Sequence, residues 1–149
     1  MKKLKMGIMA LAFIFVLTAC GGSKGKLETV TYGLKNNGVT LQLEMKYDKD
    51  KTIQETTANN TYVYKDMNRT KEDLKKSIDT NSTMYKDMKG VKRDVSYGDT
   101  EAKETNHVVV KDVSKEDLKT LYGNNFDDKD NLSLDKLVKT FEKLGYAKK

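Results

Sequence analysis

The run Val39-Thr40-Leu41-Gln42-Leu43-Glu44-Met45-Lys46-Tyr47-Asp48 alternates apolar and polar residues without a slip. Successive side chains of a strand point to opposite faces, so such a run offers one face to a core and one to water. A helix would scatter the same apolar residues around its circumference. The chain is thereby committed to a sheet with one covered face. The odd-numbered side of residues 39–47 is the side expected inside.

The neighbouring segments extend this sheet. Residues 27–34 carry Val30, Tyr32 and Leu34 on one parity, and Lys35-Asn36-Asn37-Gly38 joins them to the alternating run with a turn whose Asn-Gly tolerates positive φ. The two read as a β-hairpin. Asp48-Lys49-Asp50-Lys51 forms a second turn, and residues 52–64, rich in Thr and Tyr, read as a third strand in which Ala58-Asn59-Asn60 is a candidate break. Residues 91–97 and 102–113 read as two more strands, turning at Gly98-Asp99.

Helices follow from their caps. Thr70 precedes Lys71-Glu72-Asp73-Leu74 as an N-cap with Asp73 at N3, and Leu74, Ile78, Tyr85 and Met88 share a face that ends at Gly90 as C′. Residues 79–83 are poor helix material, so a kink or split is expected there. Ser114-Lys115-Glu116-Asp117-Leu118 echoes the first cap almost residue for residue, a coincidence to be expected in a Lys-rich chain, and begins a short helix to Tyr122-Gly123. After the polar loop 124–131, Ser133 caps a last helix whose Leu134, Leu137, Val138, Phe141 and Leu144 form a stripe ending at Gly145. Strands and helices in this order imply an α+β fold, an antiparallel sheet with two or three helices packed on one face.

The N-terminus reads differently. Lys2, Lys3 and Lys5 precede 14 uncharged residues, 6–19, in the order of a secretory signal peptide. A bilayer core of ~30 Å takes ~20 helical residues to cross, so this stretch is short for a permanent span. It closes Leu17-Thr18-Ala19-Cys20-Gly21, which resembles the bacterial lipobox. That resemblance implies a diacylglyceryl group on the Cys20 thiol and cleavage between Ala19 and Cys20. Three segments are expected: residues 1–19 as signal peptide, 20–26 as lipidated cysteine and Gly/Ser-rich leash, and 27–149 as a single domain.

Composition narrows function from there. Cys20 is the single cysteine, so no intrachain disulfide is available. Removing residues 1–19 lowers the net charge from +6 to +3, and the rest is spread in both signs, without the clustered footprint of a nucleic-acid binder. The mature chain has one histidine, His107, in a strand and with no paired Ser or Cys motif, a structural rather than catalytic setting. Zinc wants three or four Cys/His ligands, and no metal or cofactor is expected. Asp127-Asp128-Lys129-Asp130-Asn131 fails the spacing of a calcium loop and reads as a solvated turn. Tyr62 and Tyr64, with Tyr32 and Tyr47, offer an aromatic surface for a sugar or peptide; packing within the sheet is the plainer reading.

With its lipobox, its strand Val39–Asp48 and its closing helix Leu134–Tyr146, the chain resembles the YehR-like family of small bacterial lipoproteins. The resemblance implies an α+β domain on a lipid anchor and brings no reaction, and no functional residue beyond Cys20. The expectation is a non-enzymatic envelope lipoprotein, anchored by lipid at the extracytoplasmic face of the cell membrane and binding a ligand or partner there. An accessory subunit of an envelope complex and a carboxylate-based hydrolase are the alternatives. An apolar pocket favours the ligand, a broad exposed apolar patch the partner, and two converging carboxylates of raised pKa the hydrolase.

Overall fold

A computed structural model describes residues 25–149. The signal segment 1–19, Cys20 and most of the leash lie outside the described residues. One six-stranded antiparallel sheet organises the rest, with strand order β4-β5-β3-β2-β1-β6. Its strands are β1 (Glu28–Asn36), β2 (Val39–Tyr47), β3 (Ile53–Val63), β4 (Val91–Tyr97), β5 (Glu101–Val109) and β6 (Ala147–Lys148). The helices are α1 (Lys71–Ser82), α2 (Lys115–Tyr122) and α3 (Leu134–Lys143).

The first hairpin forms as its sequence requires. Asn37 and Gly38 both adopt positive φ, 43° and 78°, the conformation that matches the twist of a two-residue hairpin turn. Tyr32 pairs with Leu43 and Val30 with Met45, so the even side of β1 and the odd side of β2 share a face. Leu43, Met45 and Tyr47 are buried on it.

β3 runs unbroken through Ala58-Asn59-Asn60 and is the central strand, paired to β2 and β5. The two asparagines hold because each finds a partner on its own face: Asn59 Oδ1 accepts from Thr105, and Asn60 Nδ2 donates to Glu104. A bulge opposite Lys46 and Tyr47 changes the parity of β3, so Ile53 and Thr56 both turn to the covered side.

All three helices cover that one face. Leu74 and Ile78 of α1 pack on Tyr64 and Ala102. Leu118 of α2 packs on Val108 and Val113. Leu134 and Leu137 of α3 join Leu132 over Tyr32, Leu43, Met45, Tyr47 and Ile53. The opposite face is polar, with the Lys46–Glu55 ion pair and the Thr57–His107 contact on it.

Four details depart from the pattern read in the sequence. α1 runs through residues 79–82 and only then tightens into a 3₁₀ turn, Thr83–Tyr85; the hydroxyls of Thr80, Ser82 and Thr83 bond back to carbonyls one turn earlier. Gly90 therefore caps no α-helix but enters β4 at φ 76°, where a Cβ would meet Asp112 and Val113 at 2.9 Å. β5 stops at Val109, and Val110–Asp112 curl into a 3₁₀ turn. Finally, the C-terminus adds β6 beside β1, with Gly33 opposite Ala147 and Tyr32 opposite Lys148.

Candidate functional site

α1 covers the β4/β5 end of the sheet and α3 the β1/β2 end, because the large apolar residues lie there. Between them the floor consists of Ala58 and Asn60 of β3 and Asn106 of β5, small or polar residues that give a helix little to bury against. A cleft of about 710 Å³ opens above them. Leu41 and Leu43 continue the floor, and Leu121, Leu137, Phe141 and Leu144 make apolar walls. Tyr85, Tyr122 and Tyr146 line it too, the last with its ring 4.9 Å from that of Phe141. The 3₁₀ turn after α1 brings Tyr85 to the rim.

One polar network underlies this cleft, centred on Glu104. Its side chain is 8% exposed and accepts from four groups: Arg93 Nε at 2.7 Å and Asn106 Nδ2 at 3.0 Å on Oε1, Tyr62 hydroxyl at 2.9 Å and Asn60 Nδ2 at 3.3 Å on Oε2. Burial alone pushes the carboxyl up. The hydrogen bonds from Asn106, Arg93, Tyr62 and Asn60 outweigh it and hold Glu104 below its ordinary value. Arg93 also donates to the Ile78 carbonyl and sits 5.3 Å from the Tyr85 ring centroid, tying β4 to α1. Burial, and then the charge and hydrogen bond of Glu104, push Tyr62 far above the usual tyrosine range. Deeper along the floor, Thr56 and Tyr122 share a 2.7 Å hydrogen bond, and desolvation pushes Tyr122 up to about 12.

Asn106 is only partly matched. Its Nδ2 serves Glu104, while its Oδ1 is buried without a hydrogen-bond partner among the described residues. An unpaired buried acceptor costs about 1–3 kcal/mol, so such an atom calls for a reason.

The residues singled out in the sequence fall elsewhere. His107 lies on the polar face, its Nδ1 3.0 Å from Thr57 Oγ1, on the opposite parity of β5 from Asn106 and Val108. Asp127 closes its own loop by accepting from the backbone N–H of Lys129 and Asn131, and those bonds hold it below the carboxylate range. Asp130 pairs with Lys115 at 3.1 Å. Among the described residues no group of three or more His, Cys, Asp or Glu is placed to hold a metal ion. Tyr32, Tyr47 and Tyr64 are buried, and the four expected tyrosines divide between two packing clusters, Tyr32 and Tyr47 in one, Tyr62 and Tyr64 in the other. They make no common surface. The cleft tyrosines come from segments that sequence patterning does not bring together; the one available signal was the pairing of Glu104 and Asn106 on the parity of Val108, two polar residues on a core-facing side.

This architecture defines a small α+β domain with a covered sheet face and a cleft across it. The chain belongs to the DUF1307 family, described as proteins of unknown function, whose model matches residues 28–147. It is 35% identical to the uncharacterized lipoprotein Lmo0207 of Listeria monocytogenes over 98% of this chain and 97% of that one. It is 34% identical to the uncharacterized lipoprotein Lin0239 of Listeria innocua, over 83% and 80%. These relatives support a lipoprotein nature and a lipid anchor to the membrane for this chain. The solved E. coli YehR protein shares the fold, with TM-score 0.67 at 20% identity over 83% of this chain and 91% of that one, consistent with a YehR-like family. A Streptococcus pneumoniae TIGR4 protein matches with TM-score 0.54 at 16% identity, over 100% of this chain and 98% of that one. Among the described residues no helix is long and apolar enough to cross a membrane.

Proposed function

We propose that this chain is an envelope lipoprotein, tethered at the extracytoplasmic face by lipid on Cys20, whose domain binds a small amphiphilic ligand non-enzymatically. The observation that carries the reading is the cleft: about 710 Å³ falls within the ~300–1,000 Å³ of small-molecule sites, and apolar walls around a few fixed polar groups are their usual lining. The hydrolase alternative needs a carboxyl raised toward neutrality beside a second one. Glu104 is instead lowered and engaged by four donors. Large exposed apolar side chains among the described residues are Met84 and Leu144, on different helical segments, and Leu144 belongs to the cleft rim. Seven residues, 21–27, separate Cys20 from β1, so a leash of eight Cα steps reaches at most about 29 Å and keeps the domain near the lipid surface.

Two measurements test the reading. Every described strand and helix lies between Glu28 and Lys148, so the mature polypeptide 20–149 carrying Cys20→Ser contains the whole fold. It is expected to bind the neutral apolar dye N-phenyl-1-naphthylamine saturably, and Leu121→Trp, which fills the cleft from a partly exposed position, is expected to abolish binding without lowering the melting temperature. Absence of saturable binding by the unfilled protein overturns the ligand reading. In cells, mass spectrometry of the full chain is expected to show residues 1–19 removed and a lipid-modified Cys20; an unmodified thiol at residue 20 with residues 1–19 still attached overturns the anchor.

A further inference from the structure

Asn60 and Asn106 stand side by side on the cleft floor, on neighbouring strands, Asn60 opposite Glu104 and Asn106 opposite Ala58. An ionised carboxylate only accepts hydrogen bonds, so each amide must turn its NH₂ toward Glu104. The orientation of each carbonyl follows from that requirement. Glu104 has no acceptor site left for anything else, and Arg93 cancels its charge across 2.7 Å. The buried surface beneath the cleft is thus electrically neutral, and its unmet need is for a donor: the Asn106 Oδ1 acceptor has no partner among the described residues.

We infer that the cleft selects a neutral amphiphile, an apolar body with a hydroxyl or amide N–H head that donates to Asn106 Oδ1, and that Glu104 is the positioning residue that fixes this acceptor. The inference rests on the cleft being a ligand site and names what enters it. A carboxylate head is rejected, because an anion placed against a carbonyl oxygen brings a second acceptor where a donor is wanted. An ether or alkane of equal size fills the walls and leaves Oδ1 unpaired. Sites built to bond a substrate O–H discriminate strongly against analogues that lack it, for the same reason. Since Oδ1 is buried beneath the cleft floor, a donor reaches it through a side-chain adjustment at the wall.

The experiment uses displacement of N-phenyl-1-naphthylamine from the mature Cys20→Ser polypeptide by three probes: 1-octanol, methyl octyl ether and octanoate. Octanol is expected to displace the dye at about tenfold lower concentration than the ether, the worth of roughly one hydrogen bond, although the ether is the more hydrophobic. Octanoate is expected to be the weakest. In Asn106→Leu the octanol-to-ether preference is expected to fall to about one, with both probes read against the dye affinity measured for that same variant. Glu104→Leu, read where circular dichroism shows the domain folded, is expected to erase the preference as well, because no acceptor then holds the Asn106 NH₂ away from the cleft and its Oδ1 toward it. A merely structural role for Glu104 would weaken all probes together and leave the ratio unchanged, and that outcome overturns the assignment of Glu104. Dye binding with equal or better displacement by the ether or by octanoate overturns the donor inference and leaves the cleft reading standing. Absence of dye binding overturns both. Loss of dye binding on self-association, followed by sedimentation, assigns the cleft to a second copy of the chain and also overturns the inference.

Discussion

Glu104 is the residue where burial and charge meet most sharply. A carboxylate 8% exposed survives inside only because Arg93 and three neutral donors replace its water. Its folded pKa lies below the unfolded value of about 4.3, so its contribution to stability is present above that value and is lost as pH falls through the folded pKa. Asp73 and Asp127 are lowered as well, so the whole domain loses stability in acid. Urea midpoints taken from pH 7 down to pH 3 are expected to show Glu104→Gln less stable than the parent at neutral pH, with the gap closing below about pH 4, since the two aspartates titrate alike in both proteins. A constant gap across that range would remove Glu104's charge from the account. Glu104→Ala, which strands the Arg93 guanidinium, is expected to cost about 3–5 kcal/mol.

At the scale of elements, α3 shows how one stripe is put to two uses. Leu134 and Leu137 are buried in the main core, whereas Leu144, one turn beyond Thr140, is 61% exposed and lines the cleft. Leu137→Ala is expected to lower unfolding free energy by about 2–5 kcal/mol, the range for a buried leucine. Leu144→Ala is expected to change it by less than about 0.5 kcal/mol and to weaken dye binding. Chemical denaturation with parallel dye titration measures both; a large stability loss at Leu144 would place it in the core instead. The periodicity that located α3 could not separate these residues, because a helical stripe says which side is covered and not how far the cover extends. β6 was invisible for a related reason: two residues carry no period, and Ala147 and Lys148 become a strand only because the Gly145 turn returns the chain to the open edge of β1.

The whole molecule holds all eight of its tyrosines above their ordinary pKa. Desolvation by burial is the largest cause in seven of them; at Tyr47 the bond to Glu28 comes first, and Tyr97 is pushed up to about 12 by burial followed by Asp79. A raised folded pKa supports stability below the unfolded value of about 10 and withdraws it as pH climbs toward the folded one. Alkaline titration is therefore expected to show little tyrosinate absorbance at pH 10, then a cooperative rise between about pH 10 and 12 coinciding with loss of the sheet's circular dichroism. Gradual ionisation near pH 10 with the dichroism intact would contradict the packing described.

Alternation in β2, the Asn37-Gly38 turn and the Thr70, Ser114 and Ser133 caps are local instructions, each readable from a few neighbouring residues because hydrogen bonds and side-chain parity act over that span. They sufficed for the α+β class, the covered face and the inward parity of residues 39–47. The cleft is a different kind of object. Tyr85, Asn106, Tyr122 and Phe141 are distant in the chain, and what brings them together is where α1 and α3 stop on the sheet, a result of which large apolar residues lie at its two ends. Tertiary packing alone left the Ala58, Asn60 and Asn106 strip uncovered, supplied Asn59 and Asn60 with a partner each on their opposite faces, and closed four donors around Glu104.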